Sequence, residues 1–177
     1  MNKILLPAAL AAALTAAAFA PTAQAANSGT INISGKVIND TCTISVNGGS
    51  STSSVTLPVV ATGALNAAGA TAGDTNFDIK LTGCDSNVTS AQMAFAGGNI
   101  DPNGNLNTTG TGQATNLQVR LLSGASVINA KSQTNAPAIA VASGTGTTTL
   151  TAQYYANGAA VGAGLVNTSV NFTLTYL

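Results

Sequence analysis

Apolar and polar residues alternate with a period of two along most of this chain. Val55, Leu57 and Val59 alternate with Thr56 and Pro58, Phe77, Ile79 and Leu81 with Asp78, Lys80 and Thr82, and Leu117, Val119 and Leu121 with Gln118 and Arg120. A period of two sends successive side chains to opposite faces of a strand, so each segment reads as a half-buried strand. Further strands are expected at Thr41 to Val46, Ala91 to Ala96, Ala138 to Ala142, Thr147 to Ala156 and Val166 to Leu177. Turn clusters such as Asn47-Gly48-Gly49-Ser50 and Asp101-Pro102-Asn103-Gly104-Asn105 separate them. The one helix-permissive stretch, Ala61 to Ala72, contains Gly63 and Gly69 and is expected to form a loop or a single turn. Short strands at this spacing, with no interior linker, predict an all-β fold with a single antiparallel sandwich.

Both ends of that pattern are regular. Gly29, Ile31, Ile33 and Gly35 share one face of an N-terminal segment whose other face carries Ser28, Thr30, Asn32 and Ser34. At the other end, Val170, Phe172, Leu174 and Tyr176 share a face, and the alternation runs through to Leu177. Upstream of residue 26 the pattern changes. Lys3, an apolar run from Ile4 to Ala20 and the small-x-small sequence Ala23-Gln24-Ala25 have the form of a bacterial secretory signal peptide. The run is short and interrupted by Pro7 and Thr15, which disfavours a membrane span of about 20 apolar residues. The expected organisation is therefore a signal peptide at 1–25, an N-terminal extension at 26–35 and one domain at 36–177.

Composition narrows the function. Charged residues make up 6% of the chain, the formal net charge is zero and there is no His. Phosphate neutralisation needs clustered Lys and Arg, so nucleic acid is not an expected partner. Without His, imidazole-based catalysis and His-ligated metals are excluded. Cys42 and Cys84 in an exported chain read most simply as one disulfide. They have no CxxC spacing for redox chemistry, and two thiols without His make a poor zinc site.

The remaining candidate chemistry is weak. Asp101-Pro102-Asn103-Gly104-Asn105 imitates the opening of a calcium loop, but Leu106 and Gly112 stand where such a loop needs Gly and a carboxylate. Asp74 and Asp78 have no Glu or His to complete an acid–base pair, and Asp78 is expected on the outer face of its strand. No catalytic residue, cofactor or metal is expected, and the chain is not expected to be an enzyme. An alternative role, a monomeric secreted carbohydrate-binding β-sandwich, needs aromatic platforms. Phe77, Phe95, Phe172, Tyr154, Tyr155 and Tyr176 leave few to spare for one.

The exported part of the chain resembles the structural pilins of bacterial chaperone–usher pili, most closely those of type 1 fimbriae. The resemblance rests on the run from Gly29 to Cys42, the run from Phe77 to Cys84, the stretch Gln153 to Gly158, Gly164 and the penultimate Tyr176. It implies an incomplete immunoglobulin-like β-sandwich lacking the seventh strand, with an N-terminal donor-strand extension. It also implies that a periplasmic pilus chaperone, and later the extension of another pilin subunit, fills the resulting groove, a form of β-augmentation. An outer-membrane usher would then deliver the subunit to a head-to-tail fimbria at the cell surface, which contributes to adhesion. On this resemblance Gly29, Ile31, Ile33 and Gly35 correspond to the donor strand, and Gly164, Val170, Phe172, Leu174 and Tyr176 to the edge of the acceptor groove.

Overall fold

The computed structural model describes residues 29–35, 37 and 42–177. The expected signal peptide and the start of the extension, 26–28, lie outside the described residues. Val37–Leu177 form one compact unit. Its elements are β1 (Thr43–Val46), a 3-10 turn (Thr62–Leu65), β2 (Thr71–Thr82), β3 (Ser90–Ala96), β4 (Leu106–Asn107), β5 (Leu117–Ser123), β6 (Ser126–Ile128), β7 (Ala138–Ala140), β8 (Gly146–Ala156) and β9 (Asn171–Tyr176). Among the described residues there is no α-helix. The glycine-containing stretch 61–72 yields the single turn expected of it before joining β2.

Two sheets face each other. The larger is ordered β1-β2-β8-β5-β4, with β6 added against β5, and the smaller is ordered β7-β3-β9. Every pair of named strands is antiparallel. Alternation explains which faces meet. Ile79 and Leu81 of β2, Met93 of β3, Ile139 of β7 and Leu150 of β8 are fully buried, whereas Asp78 and Lys80 point outward. The core is built from these branched side chains with Ala91, Ala152 and Ala156 filling the narrow places. Burying each large aliphatic side chain contributes about 1.5–3 kcal/mol, which the ordering of the chain largely offsets.

A disulfide joins Cys42, just before β1, to Cys84, just after β2, with 4.2 Å between the Cα atoms. Its partners flank the Thr43–Thr82 end of the β1–β2 ladder, so the bond clamps the start of the larger sheet. Both cysteines are buried.

Three expectations from periodicity require correction. No strand forms at Val55 to Val59, and the expected strand from Val166 begins only at Asn171. Along the first segment Val55 and Leu57 are still half-buried and Thr56 and Pro58 exposed, so the alternation survives without a ladder. Along the second, Thr109 N–H donates to the Asn167 carbonyl (2.8 Å) and Gln113 Oε1 accepts from Asn167 N–H (2.8 Å), which takes that backbone out of strand pairing. The third correction concerns Gln118, whose position between Leu117 and Val119 predicts exposure. It is buried, because the 101–107 segment folds over that face and both Asp101 (3.1 Å) and Asn107 (2.8 Å) accept from its Nε2.

Candidate functional site: an open groove beside the last strand

β9 lies at the edge of the smaller sheet, paired with β3 on one side only among the described residues. Its register sets Phe95 opposite Phe172, Met93 opposite Leu174 and Ala91 opposite Tyr176. Ser90 and Leu177 exchange hydrogen bonds at the end of this ladder, Leu177 N–H to the Ser90 carbonyl (2.9 Å) and Ser90 N–H to the Leu177 carbonyl (3.3 Å). In an antiparallel ladder such bonded pairs recur at every second residue. Thr175, Thr173 and Asn171 therefore direct their backbone groups to β3, while Phe172, Leu174 and Tyr176 direct theirs to the open edge. The same three residues turn their side chains to the core, where they are half-buried.

Between this edge and the larger sheet runs a groove of about 820 Å³. Its floor is the exposed interior of the sandwich, including Ile79, Met93, Phe95, Leu121 and Leu150. One lip is the segment 166–172 and the other is 51–57. No charged side chain lines it. Tyr154 fixes the second lip, donating its hydroxyl to the Pro58 carbonyl at 3.1 Å. The ring lies against Gly73, which has φ +72° and where a Cβ would fall 2.8 Å from Tyr154 Cδ2. Glycine is required there by both the left-handed backbone and the ring. It also lies in the irregular stretch where the β2–β8 register shifts between Ala72 and Thr75. Burial raises the Tyr154 hydroxyl above its ordinary pKa. The first lip is held through Thr168, whose hydroxyl accepts from Asn99 Nδ2 (2.6 Å) and donates to the Asn107 carbonyl (2.9 Å).

The residues singled out from sequence distribute unevenly around this groove. Val170 and Phe172 line it, whereas Leu174 and Tyr176 continue the same face beyond its end. Gly164 lies outside the groove and is needed for close approach. A Cβ there would sit 2.6 Å from the Gln113 carbonyl carbon and 2.7 Å from Ala114 Cα, next to the parallel bridge between Gln113 and Leu165. In the N-terminal segment the side chains of Ile31 and Ile33 are 86% and 92% exposed, and nothing approaches the Cβ positions of Gly29 or Gly35 within 4 Å. Sequence reasoning missed Tyr154, Pro58 and Thr168 as the residues that set the lips. The surviving alternation at Val55 and Leu57 was the visible signal for one lip. The bonds holding the other link residues far apart in the chain.

The remaining candidates have ordinary partners. The Asp101 carboxylate accepts from Asn105 N–H (2.8 Å), Gln118 Nε2 (3.1 Å) and Asn103 Nδ2 (3.4 Å), which closes its own turn. Asp78 accepts from the Thr149 hydroxyl across the outer face of the β2–β8 ladder at 2.6 Å. Of the aromatic side chains, Phe95 and Tyr154 are buried, Phe77, Phe172 and Tyr176 pack against the core, and Tyr155 is covered by the Arg120 guanidinium 3.7 Å above its ring.

A two-sheet sandwich with an unpaired last strand and an apolar groove beside it is a distinctive arrangement, and residues 31–177 match the Fimbrial protein family. The chain belongs to that family. It is 40% identical over 170 residues to the major fimbrial subunit SMF-1 of Stenotrophomonas maltophilia (strain K279a), spanning 90% of this chain and 98% of that protein. It is 35% identical over 173 residues to the type-1 fimbrial protein, A chain, of Escherichia coli (strain K12), spanning 94% and 93%. Its fold is similar to that of the P pilus rod subunit PapA, with a TM-score of 0.62 at 23% identity over 77% of this chain and 99% of that one. The fimbrial family is one of structural subunits, and its all-β, pilin-like fold is the one found here.

Proposed function

We propose that this chain is a structural subunit of a surface fimbria and that Gly29–Gly35 of one copy completes the sandwich of the next. The observation that carries the proposal is the groove beside β9. It exposes core side chains, no charge lines it, and the open-edge backbone groups of Phe172, Leu174 and Tyr176 await a strand. An exposed edge above an exposed core favours pairing with any available chain. The N-terminal segment supplies the complement. Ile31 and Ile33 share one face and are exposed in the free chain, and their strand can satisfy the main-chain groups while their side chains enter the groove.

Each copy carries one donor and one acceptor at different places. Such a contact is heterologous and does not close on itself, which yields a filament. Before assembly the groove needs a cover, and a periplasmic chaperone serves that role, followed by delivery through an outer-membrane usher. Val170 and Phe172 act as acceptor residues in the groove, with Leu174 and Tyr176 extending the same edge. Gly164 supports the edge by allowing the 113–114 backbone to approach.

The test is electrophoresis of the purified protein without boiling, alongside a variant lacking residues 26–35. The wild type should form a ladder of multimers and the truncated variant a single monomer band that still binds a synthetic peptide of residues 26–35. A truncated variant that forms the same ladder would remove the donor assignment.

A further inference from the structure

Beside the groove lies a second depression of about 390 Å³ with Val59, Leu65, Val161 and Leu165 in its wall. It shares Tyr154 and Val166 with the groove and so continues it at the Val166 end. Its rim is uncovered: Val59 is 100% exposed and Leu165 61% exposed. Val37, the residue that follows the donor segment by two positions, is 96% exposed. We infer that Val37 of an incoming copy seats in this second depression, and that this contact sets the direction in which the donor strand lies. The inference rests on the donor reading of Gly29–Gly35.

Length and parity carry the argument. The lip 166–172 and the donor 29–35 each contain seven residues, and at roughly 3.3 Å per residue both run for about 20 Å. A donor that fills the groove therefore leaves its next same-face residue beyond the end. That residue is Val37 on the C-terminal side and Asn27 on the N-terminal side. Laid antiparallel to β9, the donor brings Val37 to the Val166 end, over the second depression. Laid parallel, it brings Asn27 there.

Two observations favour the first arrangement. All pairs of named strands in this sandwich are antiparallel, and antiparallel ladders are slightly more stable per residue. The second depression is walled by aliphatic side chains, so an Asn amide placed in it would lose water without gaining a partner, whereas a Val loses nothing polar. The occupant is a second copy of this chain.

The experiment has two arms, both on full-length exported protein. In the first, Val37→Cys and Leu165→Cys are prepared separately and co-assembled, so that a bond between them joins two copies. Reducible cross-linked dimers are expected, and none when Asn27→Cys replaces Val37→Cys. In the second, Val37→Asp should still give a ladder, because Ile31 and Ile33 are intact, but its junctions should dissociate about tenfold faster, the equivalent of 1.4 kcal/mol. Cross-linking through Asn27→Cys, or a Val37→Asp fibre that dissociates at the wild-type rate, overturns the Val37 assignment while a wild-type ladder leaves the donor reading standing. Loss of the ladder in the wild type overturns the donor reading itself.

Discussion

Truncation of Ile33 separates the stability of a subunit from the stability of the junction between two. In the unassembled chain this side chain is 92% exposed, so Ile33→Ala removes three carbons that contribute nothing to the subunit's own core. In the fibre the same three carbons are buried in a groove floored by side chains such as Met93, Phe95 and Leu150. At about 0.8 kcal/mol per buried CH₂, their loss weakens the junction by roughly 2.4 kcal/mol, or about 50-fold in its equilibrium constant. Incomplete collapse of the groove around the smaller residue would add to that figure. The assay pairs two measurements. Urea unfolding of the unassembled subunit should be unchanged within about 0.5 kcal/mol, as for an ordinary surface substitution. Dissociation of preformed multimers, followed over time by unboiled gels in moderate denaturant, should accelerate by one to two orders of magnitude. A subunit destabilised by more than about 1 kcal/mol would show that Ile33 belongs to its own chain's core. An unaltered dissociation rate would show that Ile33 does not enter the groove.

Three further outcomes follow from local structure. Replacing Cys42 and Cys84 by Ser opens a loop closed over a sequence separation of 42 and should cost about 4 kcal/mol in the chain-entropy treatment, read as a lower urea midpoint of the unassembled subunit. Asp101→Ala leaves Asn105 N–H without its acceptor and removes one of the two acceptors of the buried Gln118 amide, and should cost about 1–3 kcal/mol in the same assay. Burial raises the Tyr154 pKa in the folded chain, so the unfolded chain releases this proton first, near its ordinary value of about 10. Stability from this group is whole below that pH and falls as pH rises through the folded value. Melting temperatures at pH 9 and 11 should diverge more in the wild type than in Tyr154→Phe, which also loses its bond to Pro58.

Much of the fold was legible in the chain because alternation is a local property. β2, β3, β5, β8 and the disulfide pair were each visible in a single window or a single residue type. The parity of Phe172, Leu174 and Tyr176 was visible for the same reason, since one face of β9 must meet the core. The exceptions are segments whose state depends on a distant partner. Val55 to Val59 has the composition of a strand and lacks a ladder among the described residues, and Val166 to Val170 spends its backbone on residues 109 and 113. The burial of Gln118 depends on a loop folding across it from Asp101. The short strands β4 and β6, of two and three residues, carry too few positions to show a period. Tyr154 was legible only as an aromatic in a strand. Its role depends on Pro58, 96 positions away in sequence, and on the space left by Gly73.

The central claim is that a strand from another copy occupies the open edge of β9, and amide hydrogen exchange resolved by residue tests it directly. The backbone amides of Phe172, Leu174 and Tyr176 face that edge, while those of Asn171, Thr173 and Thr175 are already directed to β3. Exchange should therefore be fast at the first three and slow at the second three in the unassembled subunit. In fibres, Phe172 and its outward-facing neighbours should become protected by orders of magnitude, together with the amides of the 29–35 segment. If Phe172, Leu174 and Tyr176 exchange as fast in the fibre as in the free subunit, no strand has been added there and the account is wrong.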